Sequence, residues 1–253
     1  MFFTVAKSGR NGYNLGMSIQ NYNITVFGDS VSKGVTTDDG LATVKTNAIN
    51  CVEQHFGVTI TNKSVFGMTL KKFVDKQTFK KFVDGADKSV NNLVALAIGG
   101  NDADFDWRAV NENPTGFHLQ NTPLKQFGEL LTDTINLFKQ NGVRVVLTTL
   151  PPINPYRYID NRIVGLATKE NVMTFLKGDV LNMYRDHEMY SDEIMRVALV
   201  TDTPLIDLRR ELLPIKDYND YLCHDGIHPN QKGQLAIGKV IIDIIQQNKI
   251  LNY

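Results

Sequence analysis

The stretch ITVFGDSVSKG, residues 24–34, decides the fold class of this chain. Residues 24–27 form a short apolar run rich in β-branched side chains, and Gly28 follows them, as in a buried strand that ends in a turn. Asp29 and Ser30 come directly after that turn. Because the residues that follow each strand of an open parallel sheet gather in one crevice, we expect a functional site here.

The pattern of an apolar strand followed by a turn recurs along the chain, in alternation with helical periodicity. The last predicted helix places Leu235, Val240, Ile241 and Ile244 on one apolar stripe. Strands that alternate with helices favour right-handed crossovers, and so an α/β fold: a three-layer α/β/α sandwich around a mainly parallel five-stranded sheet. After residues 24–27, we predict strands at 58–65, 93–98, 143–150 and in the second half of 197–206, and helices at 41–56, at 69–90 with a break near Gly85, at 124–139, at 166–190 and at 230–247.

The composition favours one folded domain. The chain has 253 residues, of which 42% are hydrophobic and 21% charged, enough for one sizeable core. No linker rich in Pro, Gly and Ser divides it, so we expect a single domain over residues 24–253. Residues 1–23 are a polar, glycine-containing extension of unknown role, which could cover the site or mediate assembly.

The charge balance and the apolar runs exclude some partners. Lys and Arg number 27, as do Asp and Glu, so no net field attracts nucleic acid, and we expect none as a partner. We also expect no integral membrane segment, because the apolar stretch 237–245 is too short to cross a bilayer. No basic n-region precedes an apolar run, which favours a cytoplasmic protein, or a secreted one whose leader has been removed. Cys51 and Cys223 are too few for a disulfide framework and are consistent with two free thiols.

Three residues have the chemistry of nucleophilic catalysis. The hydroxyl of Ser30 could project at a strand end beside a helix start, although a Gly-Asp-Ser turn that merely caps a helix would look the same. Asp225 and His228 are three residues apart, so a turn can bring the carboxylate to the imidazole and select its tautomer. Pro229 suits the first position of the final helix, and His228 would then lie just before the N-terminus of that helix. A structural carboxylate and a capping histidine remain an alternative for this pair.

Gly67 and Asn101 could stabilise an oxyanion. A serine that attacks an acyl carbon needs hydrogen-bond donors for the developing negative charge, and a backbone amide and an asparagine side chain can supply them. Each residue alone is more often a turn residue, so the argument depends on their placement after successive predicted strands.

Four segments in this order resemble the conserved blocks of the SGNH hydrolase superfamily, the GDSL-type esterases and lipases: residues 28–34, Gly67, residues 99–102 (Gly-Gly-Asn-Asp) and residues 225–228. The resemblance covers nearly the whole chain and implies a flavodoxin-like α/β domain. It implies Ser30 as nucleophile, His228 as general base and Asp225 as the residue that orients the histidine. The implied oxyanion hole comprises the Ser30 amide, the Gly67 amide and the Asn101 side chain.

The resemblance also implies a small-molecule ester as substrate, with no cofactor and no metal. It allows short-chain esters, carbohydrate O-acetyl esters, lysophospholipids and thioesters. We favour short-chain or O-acetyl esters because the chain lacks a membrane-binding segment. The oligomeric state stays open.

A metal-dependent hydrolase is the main catalytic alternative. His224 and His228 are four residues apart with Asp225 between them, and Asp29 could be a further ligand. Two histidines at that spacing share a face only on a continuous helix, which Gly226 and Pro229 disfavour.

Two further alternatives concern binding. Asp102, Asp104 and Asp106 alternate as at the start of a calcium loop, but Trp107 stands where the loop glycine should be and Asn113 where the glutamate should be, so we reject a calcium site. A non-catalytic ester or carbohydrate binder on the same fold is disfavoured by the complete Ser, Asp, His and Asn set. The aromatic residues after the third and fourth strands could line a pocket, although packing is the more common role for such residues: Phe105, Trp107, Tyr156 and Tyr158.

Overall fold

The computed structural model describes residues 18–247, and one five-stranded parallel sheet forms its centre. The order of strands is β4-β1-β5-β6-β7, and every pairing within this sheet is parallel. The predicted α/β fold with a mainly parallel five-stranded sheet is confirmed. The strands are β1 (Tyr22–Gly28), β2 (Val35–Thr36), β3 (Ala42–Thr43), β4 (Ile60–Asn62), β5 (Asn91–Ala97), β6 (Arg144–Thr148) and β7 (Leu205–Ile206), of which β2 and β3 form a separate antiparallel hairpin.

Helices cover both faces of the sheet. They are α1 (Ser30–Lys33), α2 (Ala48–Phe56), α3 (Leu70–Asp75), α4 (Thr78–Gly85), α5 (Trp107–Glu112), α6 (Leu124–Gln140), α7 (Pro155–Tyr158), α8 (Lys169–Phe175), α9 (Leu181–Val200), α10 (Leu208–Leu212) and α11 (Gln231–Gln246). Short 3-10 helices cover Ile19–Asn21 and Tyr218–Tyr221, and a π-helical turn covers Ile159–Ile163.

The strand order places a topological switch point between β1 and β5. The chain leaves β1 towards β4 on one side and leaves β5 towards β6 on the other, so the loops after β1 and β5 separate and leave a crevice. Gly28 pairs with Ala97 at the carboxyl ends of these two strands. The loops that carry Ser30 and Asn101 therefore begin side by side.

Alternation along each strand produces two cores. On β1 and β5, Phe27, Val94 and Leu96 pack against α3, α4, α6 and α9, whereas Ile24 and Leu93 face α2, α10 and α11. A third cluster, which includes Trp107, Tyr158 and Val172, packs α5 and α8 beside the crevice.

Two predicted helices begin or break at other positions. The helix predicted at 41–56 begins at Ala48, because Asn47 and Asn50 form a reciprocal capping box there. Leu41, expected on its apolar face, is 71% exposed beside the β2–β3 hairpin. The helical region 69–90 breaks at Gln77, which has a φ of 55°, while Gly85 ends α4.

The predicted helix at 166–190 is two helices, α8 and α9. Lys177 and Gly178 both have positive φ between them, which ends α8. Because α9 continues to Val200, the strand expected within 197–206 is only Leu205–Ile206. Short helices α5, α7 and α10 were not predicted. Leu235, placed on the buried stripe of the final helix, is 46% exposed, so that assignment was wrong.

The first strand begins two residues earlier than predicted. Tyr22 and Asn23, assigned to the extension, belong to β1, and Ile19 is buried in the core beside α2 and α11. Residues 1–17 of the predicted extension and residues 248–253 of the predicted domain lie outside the described residues. Over the described residues, no helix is both long and apolar enough to span a membrane.

Candidate active site

Ser30 is the first residue of α1, directly after β1, and its hydroxyl is not the helix cap. The side chain of Asp29 caps α1, since its Oδ1 accepts a hydrogen bond from the N–H of Val31 at 2.9 Å. Gly34, with a φ of 79°, ends the helix after one turn. Because Asp29 does the capping, the Ser30 hydroxyl can point to His228, whose Nε2 lies 2.9 Å from Ser30 Oγ.

Asp225 organises the turn that carries His228. Its Oδ1 accepts the backbone N–H groups of Ile227 and His228, both at 3.1 Å. Its Oδ2 lies 2.5 Å from Nδ1 of the His228 ring. Burial raises the pKa of Asp225, but the hydrogen bonds from His228 and the backbone outweigh that effect and lower the pKa to about 2. Asp225 is thus a carboxylate that holds the proton of the histidine on Nδ1.

This turn requires glycine at position 226. Gly226 has a φ of 76°, a conformation that other residues rarely adopt, and a Cβ there would lie 2.5 Å from the carbonyl oxygen of Asn154. The Asn154 N–H in turn donates to the Gly226 carbonyl at 2.7 Å. The segment after β6 therefore fixes the turn that presents His228.

The three residues form one continuous, buried hydrogen-bonded chain. Ser30 is 7% exposed, Asp225 5% and His228 3%. The ring of Phe66 stacks over the His228 ring with centroids 6.2 Å apart and planes inclined by 14°. Excluding water from this chain strengthens its electrostatic interactions.

Gly67 and Asn101 lie on the loops that follow β4 and β5. Gly67 occupies the tight turn that the Met68 N–H closes onto the Val65 carbonyl at 3.1 Å, and its φ is 66°. The N–H of Val65 donates to the Gly28 carbonyl at 3.0 Å, which ties this turn to the end of β1. Asn101 Nδ2 donates to the Met68 carbonyl at 3.1 Å, so the two loops contact each other.

The residues of the metal alternative make other contacts in this structure. Both ring nitrogens of His228 are engaged, one by Asp225 and one by Ser30. His224 lies on the exposed side of the turn, where its backbone N–H donates to Asp38. Within residues 18–247, no group of three His, Cys, Asp or Glu side chains is arranged to hold a metal ion.

The alternating aspartates after β5 have three separate structural roles. Both carboxylate oxygens of Asp102 accept the Leu70 N–H, at 2.9 and 3.0 Å. Asp104 accepts from Trp107 Nε1 and the Tyr158 hydroxyl, at 2.8 and 2.6 Å. Asp106 caps α5. All three carboxylates thus accept hydrogen bonds from neighbouring parts of the fold.

The four aromatic residues differ in placement. Phe105 and Trp107 are buried in the cluster beside the crevice. Tyr158 belongs to the same cluster and also lines the cavity at Ser30. Tyr156 is 57% exposed. Packing is thus the main role of Phe105, Trp107 and Tyr158, the role that the sequence favoured for them.

The sequence of the chain has the pattern of a known enzyme family. The GDSL-like Lipase/Acylhydrolase family model matches residues 26–236. The chain belongs to this family. The resemblance seen in the four sequence blocks is confirmed, and the protein is an enzyme that acts on ester bonds.

Solved structures share the fold of this GDSL-like acylhydrolase at low sequence identity. A lipase/acylhydrolase from Enterococcus faecalis is 18% identical with a TM-score of 0.62, over 91% of this chain and 98% of that one. An acetylxylan esterase from Geobacillus stearothermophilus, solved as a catalytic mutant, is 15% identical with a TM-score of 0.61, over 91% and 96%. The psychrotrophic esterase EstA from Pseudoalteromonas sp. is 17% identical with a TM-score of 0.55, over 90% and 97%. Identities this low establish a common fold only. No sequence among the curated proteins matches significantly.

Three contacts at the site of this GDSL-like acylhydrolase were not predicted from the sequence. Phe66, which stacks on His228, follows a predicted strand next to Gly67, but nothing in its type indicates that contact. The cap on α1 is Asp29 rather than Ser30, a role for which aspartate at a helix start is a recognised signal. Asp29 Oδ2 also lies 3.4 Å from Asn101 Nδ2, which links the first and third blocks.

Asp29 should make the stability of this GDSL-like acylhydrolase depend on pH. Burial raises the pKa of its carboxyl from 3.8 to about 6, against the opposing hydrogen bond from Val31. The folded state therefore holds the proton more tightly than the unfolded state, and this stabilisation is complete below pH 3.8 and lost as pH rises through 6. A shift of this size corresponds to about 3 kcal/mol.

We expect Asp29→Asn, which keeps a capping side chain, to gain about 2 kcal/mol of unfolding free energy relative to wild type between pH 4 and pH 7, most of the full effect. Urea unfolding at both pH values measures the difference. Asp133→Asn on the exposed face of α6 is the control and should show no such change with pH. A difference between Asp29→Asn and wild type that stays constant with pH would contradict the raised pKa.

Proposed function

We propose that this protein hydrolyses carboxylic esters through an acyl-enzyme on Ser30, with His228 as general base and Asp225 as the residue that orients the histidine. The observation that carries the proposal is the unbroken chain of contacts from Asp225 Oδ2 to His228 Nδ1, and from His228 Nε2 to Ser30 Oγ, at the carboxyl edge of the sheet. Nucleophile, base and orienting acid lie within hydrogen-bond distance in the order that acyl transfer requires.

Acylation begins at the Ser30–His228 contact. As Ser30 Oγ attacks the ester carbonyl carbon, its proton moves to His228 Nε2, which faces it at 2.9 Å. Asp225 stabilises the resulting imidazolium through Nδ1. The imidazolium then protonates the leaving alcohol, which departs and leaves the acyl group on Ser30. Deacylation repeats these steps with a water molecule in place of the serine.

The oxyanion would be stabilised by three donors on three loops. Ser30 begins α1, so its N–H has no acceptor within that helix. The described residues provide no backbone acceptor for the Gly67 N–H in its turn. Asn101 Nδ2 is held beside that turn by the Met68 carbonyl. The proximity of these loops supports the assignment of the Ser30 amide, the Gly67 amide and the Asn101 side chain.

The acyl group is a separate question. Short-chain or O-acetyl esters are the substrates that the sequence favours, and the description of the structural relative from Geobacillus stearothermophilus as an acetylxylan esterase supports that class. Lysophospholipids and thioesters remain alternatives within the family. A hydrolysis series over acyl length discriminates among them.

Labelling with a fluorophosphonate tests the serine mechanism directly. An activated serine attacks phosphorus and expels fluoride, so we expect one covalent adduct per chain on the peptide that contains Ser30. EstA from Pseudoalteromonas sp., one of the structural relatives, is described as inhibited by monoethylphosphonate. Ser30→Ala should take up no label, and Ser32→Ala, two residues away, should be labelled as wild type is. Intact-mass measurement and peptide mapping locate the adduct.

The labelling result has two outcomes that would overturn the proposal. An adduct on another residue would assign the nucleophile elsewhere. Ester hydrolysis that continues without any adduct, and that a chelator abolishes, would instead favour the metal-dependent mechanism.

A further inference from the structure

The cavity at the catalytic residues continues into the interior of the protein. It has a volume of about 200 Å³, and Ser30 and His228 are among the residues that line it. From there it follows one face of the sheet, past Ala97 and Ala95 of β5, to Ile241 of α11. The space therefore lies between the sheet and the layer formed by α2 and α11.

The burial of the central strand supports this continuity independently. Ala95 and Ala97 lie on β5, which has neighbours on both sides, yet both are only half-buried. On the opposite face of the same strand, Val94 is 0% exposed and Leu96 2%. One face of a central strand is accessible only if the helices that cover that face stand away from it. The two layers of the sandwich are thus packed to different densities.

The walls of the inner part are apolar. Val26 and Ala95 face Ile237 and Ile241 across the space. Gln234 is a polar residue in the wall, but both ends of its amide are engaged: Nε2 donates to the Val31 carbonyl and Oε1 accepts the Ala48 N–H. An apolar cavity offers no partners to hold ordered water, and a hydroxylated sugar would leave its polar groups unpaired there.

Shape and chemistry together select the occupant. An engineered apolar cavity of about 150 Å³ stays dry and binds benzene, so a cavity of about 200 Å³ accommodates roughly eight carbons by the same ratio. The path is elongated, because Leu93 and Ala97 on its wall lie four positions apart along an extended strand. A linear hydrocarbon fits such a path.

We propose that the interior space between the sheet and helices α2 and α11 holds the acyl chain of a medium-length linear ester, with the carbonyl at Ser30 and the methyl end near Ile241. This inference rests on the proposed function and extends it to the acyl group. It differs from the short acyl group that the sequence favours.

Hydrolysis of p-nitrophenyl esters from acetate to dodecanoate tests the preference. We expect kcat/KM to rise by about three- to fourfold per methylene up to roughly octanoate, because each added CH₂ leaves water, and to stop rising beyond it. Ala95→Leu narrows the interior, so the ratio of kcat/KM for octanoate to that for acetate should fall at least tenfold. Ala198→Leu introduces the same change in the core on the other face of the sheet and should leave that ratio as in wild type. A fastest rate with acetate and a steady decline with length would overturn the inference.

Binding of a fatty acid to a variant that cannot turn over an ester tests the cavity independently of catalysis. Sodium octanoate should raise the melting temperature of Ser30→Ala, which cannot turn over an ester, while sodium butyrate raises it less. The double variant Ser30→Ala with Ala95→Leu should lose the octanoate effect. If octanoate stabilised the Ser30→Ala protein but the wild type hydrolysed no ester, the proposed function would be overturned, while the assignment of the cavity as an acyl-chain site would stand. Ester hydrolysis without octanoate stabilisation would retain the function and overturn the acyl site.

Discussion

Replacing Ser30 with alanine is expected to lower kcat for a p-nitrophenyl ester by roughly 10⁶-fold, to a residual rate set by binding and the oxyanion donors. The side chain loses the one oxygen that lies 2.9 Å from His228 Nε2, and no covalent intermediate can form. Steady-state kinetics measures the loss. The melting temperature, recorded in parallel, separates lost chemistry from lost folding.

A second test of this prediction uses the dependence of Ser30 and His228 on each other. His228→Ala removes the base for the same step, so the double variant Ser30→Ala with His228→Ala should be no slower than the slower single variant. If the two residues acted independently, the fold losses in kcat of the single variants would multiply in the double variant.

Ser64→Ala is the matched control for the serine substitution. Ser64 is also a buried serine near Gly28, and its hydroxyl has no hydrogen-bond partner within the described residues. We expect activity within about twofold of wild type, as for a substitution that touches no functional contact. A Ser30→Ala protein that keeps a tenth of wild-type activity would rule out the serine mechanism.

The parts of the fold that follow from local periodicity could be predicted. Residues 24–27 and 93–98 are continuous apolar runs that end at glycine, and both correspond to central strands. α6 and α11 carry long amphipathic patterns and lie within a few residues of their predicted bounds. The turn that joins Asp225 to His228 was predictable because it is local in sequence and requires glycine between them.

Short elements and long-range distances could not be predicted in the same way. α5 and α10 have about one and a half turns each, too few for a periodic signal, although Asp106 and Asp207 cap them. α9 extends to Val200 because tertiary packing of Val197 and Ala198 stabilises its last turns.

The interior cavity had no sequence signal of its own. Ala95 and Ala97 are small residues in a strand, which the sequence shows, but their exposure depends on how far α2 and α11 stand from the sheet. That distance is set by contacts between segments nearly two hundred residues apart, such as the one from the Ala48 N–H to Gln234.

The second large effect is expected at Asp225, where asparagine should lower kcat by about 10⁴-fold. Asparagine retains an oxygen at the position of Oδ1, so the backbone N–H groups of Ile227 and His228 keep their acceptor and the turn should persist. At the position of Oδ2 it presents an NH₂ group, which donates to Nδ1 of His228 instead of accepting from it. The imidazole proton then moves to Nε2, which donates to Ser30 and cannot accept its proton.

This tautomer effect distinguishes an orienting carboxylate from a merely structural one. The pKa of Asp225 is lowered to about 2, so the wild-type carboxylate stays ionised throughout the range in which activity is measured, and asparagine removes its charge and acceptor together. Asp220→Asn, an exposed change in the preceding 3-10 helix, is the matched control and should retain activity within about twofold. Fluorophosphonate labelling should slow in Asp225→Asn in proportion to kcat, because both reactions need His228 to accept the serine proton. If turnover fell while labelling kept its wild-type rate, Asp225 would act after the attack on the acyl carbon, and its assignment as the residue that prepares the base would be wrong.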